Sequence, residues 1–273
     1  MNAASAQLLA AGRPREALAL LQAQVREQPG DPKLRVFLFQ LLCVLGDWTR
    51  ALGQLQVCGE LDAGALAMVN TYRSAIECEL VREAVFAGTT TPMVFGKPQG
   101  WVALLVEAMR VDAQGDPAGA ARLRAQAFEE AAPSPGTIND EPFEWIADGD
   151  SRLGPVLEAV INARYCWVPF EALARVAIEA PTDLRDMVWV PAHLGFVNGG
   201  ESVALLPSRY PGTGAVDDGA LQLSRRTEWL EISPGQYRGL GQRLITTSAA
   251  EVGLLDVREI VLGATAVVAD GEA

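Results

Sequence analysis

Leu34, Phe37, Leu38, Leu41, Leu42 and Leu45 recur at the three- and four-residue spacing of one helical face, directly after the helix start signal Asp31-Pro32. Leu8, Leu9, Ala17, Leu18, Leu21 and Val25 follow the same rule and predict a helical hairpin before it. Met68 to Phe86 and Trp101 to Met109 predict two more long helices. Between them, Gly88 to Gly100 is too long and too rich in Thr, Pro and Gly for a tight turn, so the helical array is interrupted there. Past the turn-rich segment 133–142 the helical period vanishes. Short β-favouring runs replace it: Val156 to Ile161, Tyr165 to Phe170, Arg175 to Ile178, Met187 to Val190 and Val203 to Leu206. Leu221 to Ile232, Leu244 to Thr247 and Val257 to Leu262 continue the series. Turn signals such as Asn198-Gly199-Gly200 and Pro211-Gly212-Thr213-Gly214 separate them, as in an antiparallel sheet or small barrel.

The helical half also repeats. Gly12-Arg13-Pro14-Arg15-Glu16-Ala17-Leu18 aligns with Gly46-Asp47-Trp48-Thr49-Arg50-Ala51-Leu52 at an offset of 34 residues, and Leu21 and Leu55 keep that offset. A third copy, Gly115-Asp116-Pro117-Ala118-Gly119-Ala120-Ala121, starts 69 residues after Gly46. This is the period of a tetratricopeptide-type helix-turn-helix unit. A glycine closes one helix, Asp or Pro starts the next, and a small Ala lets the pair approach closely. The expected fold is therefore α+β and multidomain, a TPR-like α-α superhelix over 1–132, a linker over 133–142, and a β-rich domain over 143–273. Stacked hairpins of this kind present curved surfaces to peptides and helices.

Composition narrows the possible partners. The chain of 273 residues has a net charge of −12, only two lysines (Lys33 and Lys97) and one histidine, His193. Twelve basic residues face sixteen acidic ones up to Pro142, and ten face eighteen beyond it. Nucleic acid and anionic membranes reward basic patches, so neither is the expected partner. The longest apolar stretch, Val36 to Leu45, is interrupted by Gln40 and far short of a membrane span. The N-terminus lacks the basic region and apolar core of a signal peptide. Cys43, Cys58, Cys78 and Cys166 are scattered and read as buried thiols, which places the protein in the cytoplasm.

Candidate chemistry is sparse. His193 has no elbow serine or reactive cysteine motif to serve and reads as a turn or core-edge residue. No phosphate-binding glycine motif is complete, and no cofactor is expected. The carboxylates Asp140, Glu141, Glu144, Asp148 and Asp150 form the best cluster. Asp148 and Asp150, alternating on a strand, share a face, so one reading is a metal-dependent hydrolase or transferase. The other makes Arg152 their ion-pair partner in a structural network, and Arg185 with Asp183 and Asp186 reads the same way. Of the tryptophans, Trp167 and Trp189 lie in strongly apolar runs and read as core, whereas Trp145 and Trp229 have acidic neighbours and are candidate partner contacts.

Several long motifs carry a family resemblance. These are Trp145-Ile146-Ala147-Asp148-Gly149-Asp150-Ser151-Arg152-Leu153-Gly154-Pro155, Tyr165-Cys166-Trp167-Val168-Pro169-Phe170, Asp183-Leu184-Arg185-Asp186-Met187-Val188-Trp189, and Asn198-Gly199-Gly200-Glu201 through Pro207-Ser208-Arg209-Tyr210-Pro211-Gly212. The chain resembles the ImpE/TagJ family of type VI secretion accessory proteins over essentially its full length. Ala163 and Cys166 depart from it, standing where relatives are expected to carry Gly and an aromatic. The resemblance implies a non-enzymatic cytoplasmic adaptor that binds the N-terminal helix of the small sheath subunit, TssB, and in some systems also the disassembly ATPase, ClpV. Trp145, Asp148, Asp150, Arg152 and Trp229 are the candidate partner-binding residues.

Overall fold

The computed structural model describes residues 3–97 and 99–263; the outermost parts of both expected domains, 1–2 and 264–273, lie outside the described residues. The first half is helical: α1 (Ala3–Ala10), α2 (Pro14–Glu27), α3 (Pro32–Val44), α4 (Trp48–Leu61), α5 (Leu66–Phe86), α6 (Gly100–Ala113) and α7 (Pro117–Glu130). The repeat grammar is realised residue by residue. Gly12, Gly46 and Gly115 adopt φ of +71°, +71° and +85° at the hairpin turns, a left-handed conformation that glycine tolerates best. Asp47 and Asp116 then accept backbone N–H groups to cap α4 and α7. Ala17, Ala51 and Ala120 are fully buried between paired helices.

Two segments depart from the expected division. Inside the interruption, β1 (Met93–Val94) runs parallel to β6 (Arg164–Pro169), so the helical half lends a strand to the sheet. The segment expected as a linker carries β2 (Gly136–Ile138) and β3 (Glu141–Phe143), which pair at the far edge of the same sheet.

The remaining strands are β4 (Ile146–Asp148), β5 (Val156–Ile161), β7 (Leu173–Ile178), β8 (Trp189–Phe196), β9 (Glu201–Pro207), β10 (Thr227–Ser233), β11 (Gln236–Gly241), β12 (Leu244–Thr247), β13 (Glu251–Gly253) and β14 (Glu259–Leu262). A nine-stranded sheet has the order β1-β6-β5-β9-β8-β7-β14-β2-β3, antiparallel apart from β1–β6. A three-stranded sheet β13-β12-β4 and the hairpin β10–β11 complete this half. The run Leu221 to Ile232, expected as strand, divides into a short helix α8 (Gly219–Gln222) and β10. The Asp218 carboxylate accepts from the Ala220 and Leu221 N–H groups and so starts a helical turn within an apolar stretch.

The alternation along β5 organises the molecule. Leu157, Ala159 and Ile161 join the core shared with β7, β8 and the three-stranded sheet. Val156 and Val160 face the other way and pack with Trp101, Leu105 and Met109 of α6. All six residues of β5 are buried, because the helices cover one face and the small sheet the other. Trp167 and Trp189 are fully buried, each in a core shared by helices and sheet. All four cysteines are buried free thiols.

Candidate partner-binding site

Glu158 occupies the helix-facing side of β5, between Val156 and Val160. A buried carboxylate there requires a compensating charge, and α5 supplies it. Arg82 Nε and Nη2 donate to Glu158 Oε1 and Oε2 at 2.7 and 2.8 Å, and Arg82 Nη1 reaches Glu79 at 3.3 Å. The Tyr165 hydroxyl also donates to Glu158, and Trp189 Nε1 donates to Glu79 at 2.9 Å. Burial alone raises the Glu158 carboxyl, but Arg82, Arg243 and Tyr165 overcome it and hold it at about 2.

The acidic cluster continues this network. Asp148 ends β4, and its Oδ2 accepts from Arg243 Nε and Nη2 at 2.9 and 2.6 Å. Asp150 lies in the following turn, not on the strand; it binds Arg152 through both oxygens and accepts from the Gly239 N–H at 3.1 Å. Arg152 also lies over the Phe86 ring at 4.6 Å. Burial pushes Asp148 up to about 6 against the pull of Arg243, which it shares with Glu158. Four buried carboxylates (Glu79, Asp148, Asp150, Glu158) thus meet three buried guanidiniums (Arg82, Arg152, Arg243), with the charge of a fourth, Arg209, near Glu79. Among the described residues no group of three or more His, Cys, Asp or Glu is placed to hold a metal ion.

This placement corrects part of the expected site. Asp148, Asp150 and Arg152 are buried and engaged with one another or with Arg243, so a partner cannot touch them without displacing those neighbours. Trp229 is half-buried and packs on Tyr210 with ring centroids 5.4 Å apart. Trp145 alone of the five is exposed, at 41%, on the lip of a cleft of about 650 Å³. The Asp–Arg reading holds for Arg152, and Arg185 pairs with Asp183 as expected. Arg243, 95 residues from Asp148, gave no local signal. His193 is exposed on β8 near Glu179, not at a core edge.

Two further arginines join the halves at repeat-equivalent points. Arg225 donates to the carbonyls of Leu9 and Ala10 at the end of α1, at 2.7 and 2.8 Å. Arg209 donates to those of Cys43 and Val44 at the end of α3, and to Gln222 O at 2.9 Å. Cys43 and Val44 lie 34 residues after Leu9 and Ala10. Each arginine donates to C-terminal carbonyls at the negative end of the helix dipole, of which Leu9 and Cys43 also accept the turn N–H groups of Gly12 and Gly46. The backbones close in at the same turns: a β-carbon at Gly219 would lie 1.9 Å from the Gly12 carbonyl oxygen, and one at Gly214 would lie 2.8 Å from Gly46 Cα.

Beside this seam opens a groove of about 750 Å³. Leu9, Val36 and Phe37 form one wall, and Leu184, Met187 and Leu223 the other. Its charged lining residues are Lys33, Asp62, Asp183 and Arg225. Such a groove presents an apolar floor with a polar rim, the surface that takes the apolar face of an amphipathic helix.

Fold and seam together define a tetratricopeptide-type repeat protein whose array is closed by a mainly antiparallel sheet. Known proteins agree. A tetratricopeptide repeat family model matches residues 8–68, and the model described as ImpE protein matches residues 140–261. The type VI secretion system accessory component TagJ of Pseudomonas aeruginosa is 52% identical over 254 residues, covering 93% of this chain and 89% of that protein. The X-ray crystal structure of a Vibrio parahaemolyticus protein superposes with a TM-score of 0.87 at 25% identity, covering 94% of this chain and 97% of that one. The chain belongs to the ImpE/TagJ family of type VI secretion accessory proteins.

Proposed function

We propose that the protein is a non-enzymatic cytoplasmic adaptor of the type VI secretion sheath that seats the N-terminal helix of TssB in the groove between α3 and the 184–187 turn. The observation that carries this reading is the groove itself, open, apolar along both walls and built from both halves of a family member. Val36, Leu184 and Met187 are only partly buried there, so their apolar surface is available to a partner. Covering them with a helix's apolar stripe gains about 25 cal/mol for each Å² removed from water. The net charge of −12 favours a helix with basic residues on its polar face, and added salt then weakens the complex.

The test is titration of the protein with a synthetic TssB N-terminal peptide at low and high salt. Saturable binding that weakens with salt, and is lost in Val36→Asp and Met187→Asp, supports the reading. Absence of binding at low salt, with the peptide helical and the protein folded, removes it. ClpV is the second partner the family resemblance implies, and the same assay with ClpV in place of the peptide tests it.

A further inference from the structure

On a different face, the cleft under Trp145 has its own chemistry. Phe128 from α7, Trp145 before β4 and Tyr237 from β11 line it, and all three are more than a third exposed. None of the three stacks on another aromatic ring among the described residues, and the Phe128 ring rests on the backbone at Gly154. The Trp145 indole N–H and the Tyr237 hydroxyl have no hydrogen-bond partner among the described residues. The Thr246 hydroxyl, also in the lining, is buried and has no partner among the described residues. Gly149 and Gly154 belong to the same lining, and the rings of Trp229 and Phe128 occupy the space their side chains would need.

We propose that this cleft docks a proline-rich segment in the polyproline II conformation, with a basic residue beside its prolines. A polyproline II strand has no internal hydrogen bonds, so it presents free carbonyl acceptors, and its prolines bring no N–H donors. The donors of the cleft, the Trp145 indole N–H and the buried Thr246 hydroxyl above all, can be met by such acceptors. A helix spends its carbonyls on itself and leaves these donors unmet. Exposed aromatic faces receive the flat pyrrolidine rings, the mode by which aromatic-lined grooves read proline-rich chains. Charge sets the flanking residue: the charged residues lining the cleft are Asp148, already held by Arg243, and Glu251, whose carboxylate has no ion-pair partner among the described residues. The cleft shares no lining residue with the groove between α3 and the 184–187 turn, so this inference stands or falls independently of the TssB reading.

The test uses the full chain and two capped twelve-residue peptides built on Pro-Pro-Ala repeats, one with arginine at its start and one at its end. Calorimetric titration at low salt is expected to give saturable binding of at least one peptide, with Kd below about 1 mM. Replacing every proline by glycine is expected to weaken it at least about tenfold, by removing the preformed helix. Trp145→Ala and Tyr237→Ala should each weaken binding severalfold with an unchanged thermal melt, and Trp145→Phe, which keeps a ring but loses the N–H, should fall between. Val36→Asp in the other groove should change nothing. The proposal is overturned if neither peptide saturates by about 2 mM, if the glycine version binds equally, or if binding survives loss of both aromatics. An amphipathic helical peptide competing at Trp145 would overturn it as well.

Discussion

Replacing Arg209 with methionine tests whether the sheet half is welded to the repeat turns. The substitution keeps an unbranched side chain but removes every donor to Cys43, Val44 and Gln222, in a site 3% exposed. Hydrogen bonds from a charged donor contribute about 1.5–3 kcal/mol each, so three come to roughly 4–9 kcal/mol. Relief of the desolvation that depresses the Arg209 pKa to about 10 offsets part of this. The change also removes a buried positive charge that attracts Glu79. A net loss of about 3–5 kcal/mol is expected, a large part of a typical total stability of 5–15 kcal/mol. Arg225→Met, which removes two bonds at a more exposed site, should lose only about 1–2 kcal/mol. Urea unfolding followed by tryptophan fluorescence at neutral pH reads both. If Arg209→Met costs under about 1 kcal/mol, or no more than Arg225→Met, the turn-capping argument is wrong.

The other expectations follow from the same interior. Because Trp189, Leu223 and the helical leucines share one core, the intact chain should unfold in one cooperative transition, and a fragment ending near Ser134 should lack its melt; two separate transitions would contradict this. Glu158 has a folded value of about 2 against 4.5, so its contribution of about 3 kcal/mol is present above 4.5 and lost as pH falls towards 2. Asp148 has the opposite sign: its folded value of about 6 lies above 3.8, so its contribution is full below 3.8 and lost as pH rises through 6. Stability should therefore rise as pH falls from 7 to about 4.5 and drop below about 4, and Asp148→Asn should flatten the upper limb; an identical profile in the variant would refute the assignment. Arg124→Leu should stabilise by about 1 kcal/mol in the same urea assay, since Arg124 is buried and, among the described residues, leaves Nη2 unpartnered and bonds only Gln236 through Nε. A loss of stability would show that its charge is needed where it stands.

Arg124 also shows how far the sequence could be read. Leu21 and Leu55 lie nine residues after their turn glycines and are fully buried; Arg124 holds that place in the third copy. The copy was legible through Gly115 and Ala120, which serve the hairpin itself. Its altered ninth position records that α7 packs on the β10–β11 hairpin instead of another repeat, and only the fold reveals that neighbour. Strands such as β5 and β12 were legible because their runs are rich in β-favouring residues and bounded by turns. β2 and β3 were not, because three-residue strands among Pro and Gly gain their order from pairing, β2 with β14 and β3 with β2. The acidic cluster was visible as a cluster, but Arg243, the partner of Asp148, comes from a distant segment, as does Arg82, the partner of Glu158. No local pattern announces a pairing across such separations.

The sheet half changes what a repeat array has to offer. By capping α1 and α3 through Arg225 and Arg209 it takes up the hairpin turns, and by lending Leu184, Met187 and Leu223 it supplies a wall opposite α3. The groove therefore exists only where the two halves meet, and the spacing of its walls is that of the seam, at which Arg225 is both a lining residue and a contact to α1. On the proposed reading, partner selectivity depends on that spacing and not on the array alone. Arg225→Met should then weaken peptide binding beyond its cost in stability, because Arg225 both lines the groove and holds the end of α1 in place. Binding left intact in a folded Arg225→Met protein would mean that one wall suffices, and that the helical half recognises its partner without the sheet.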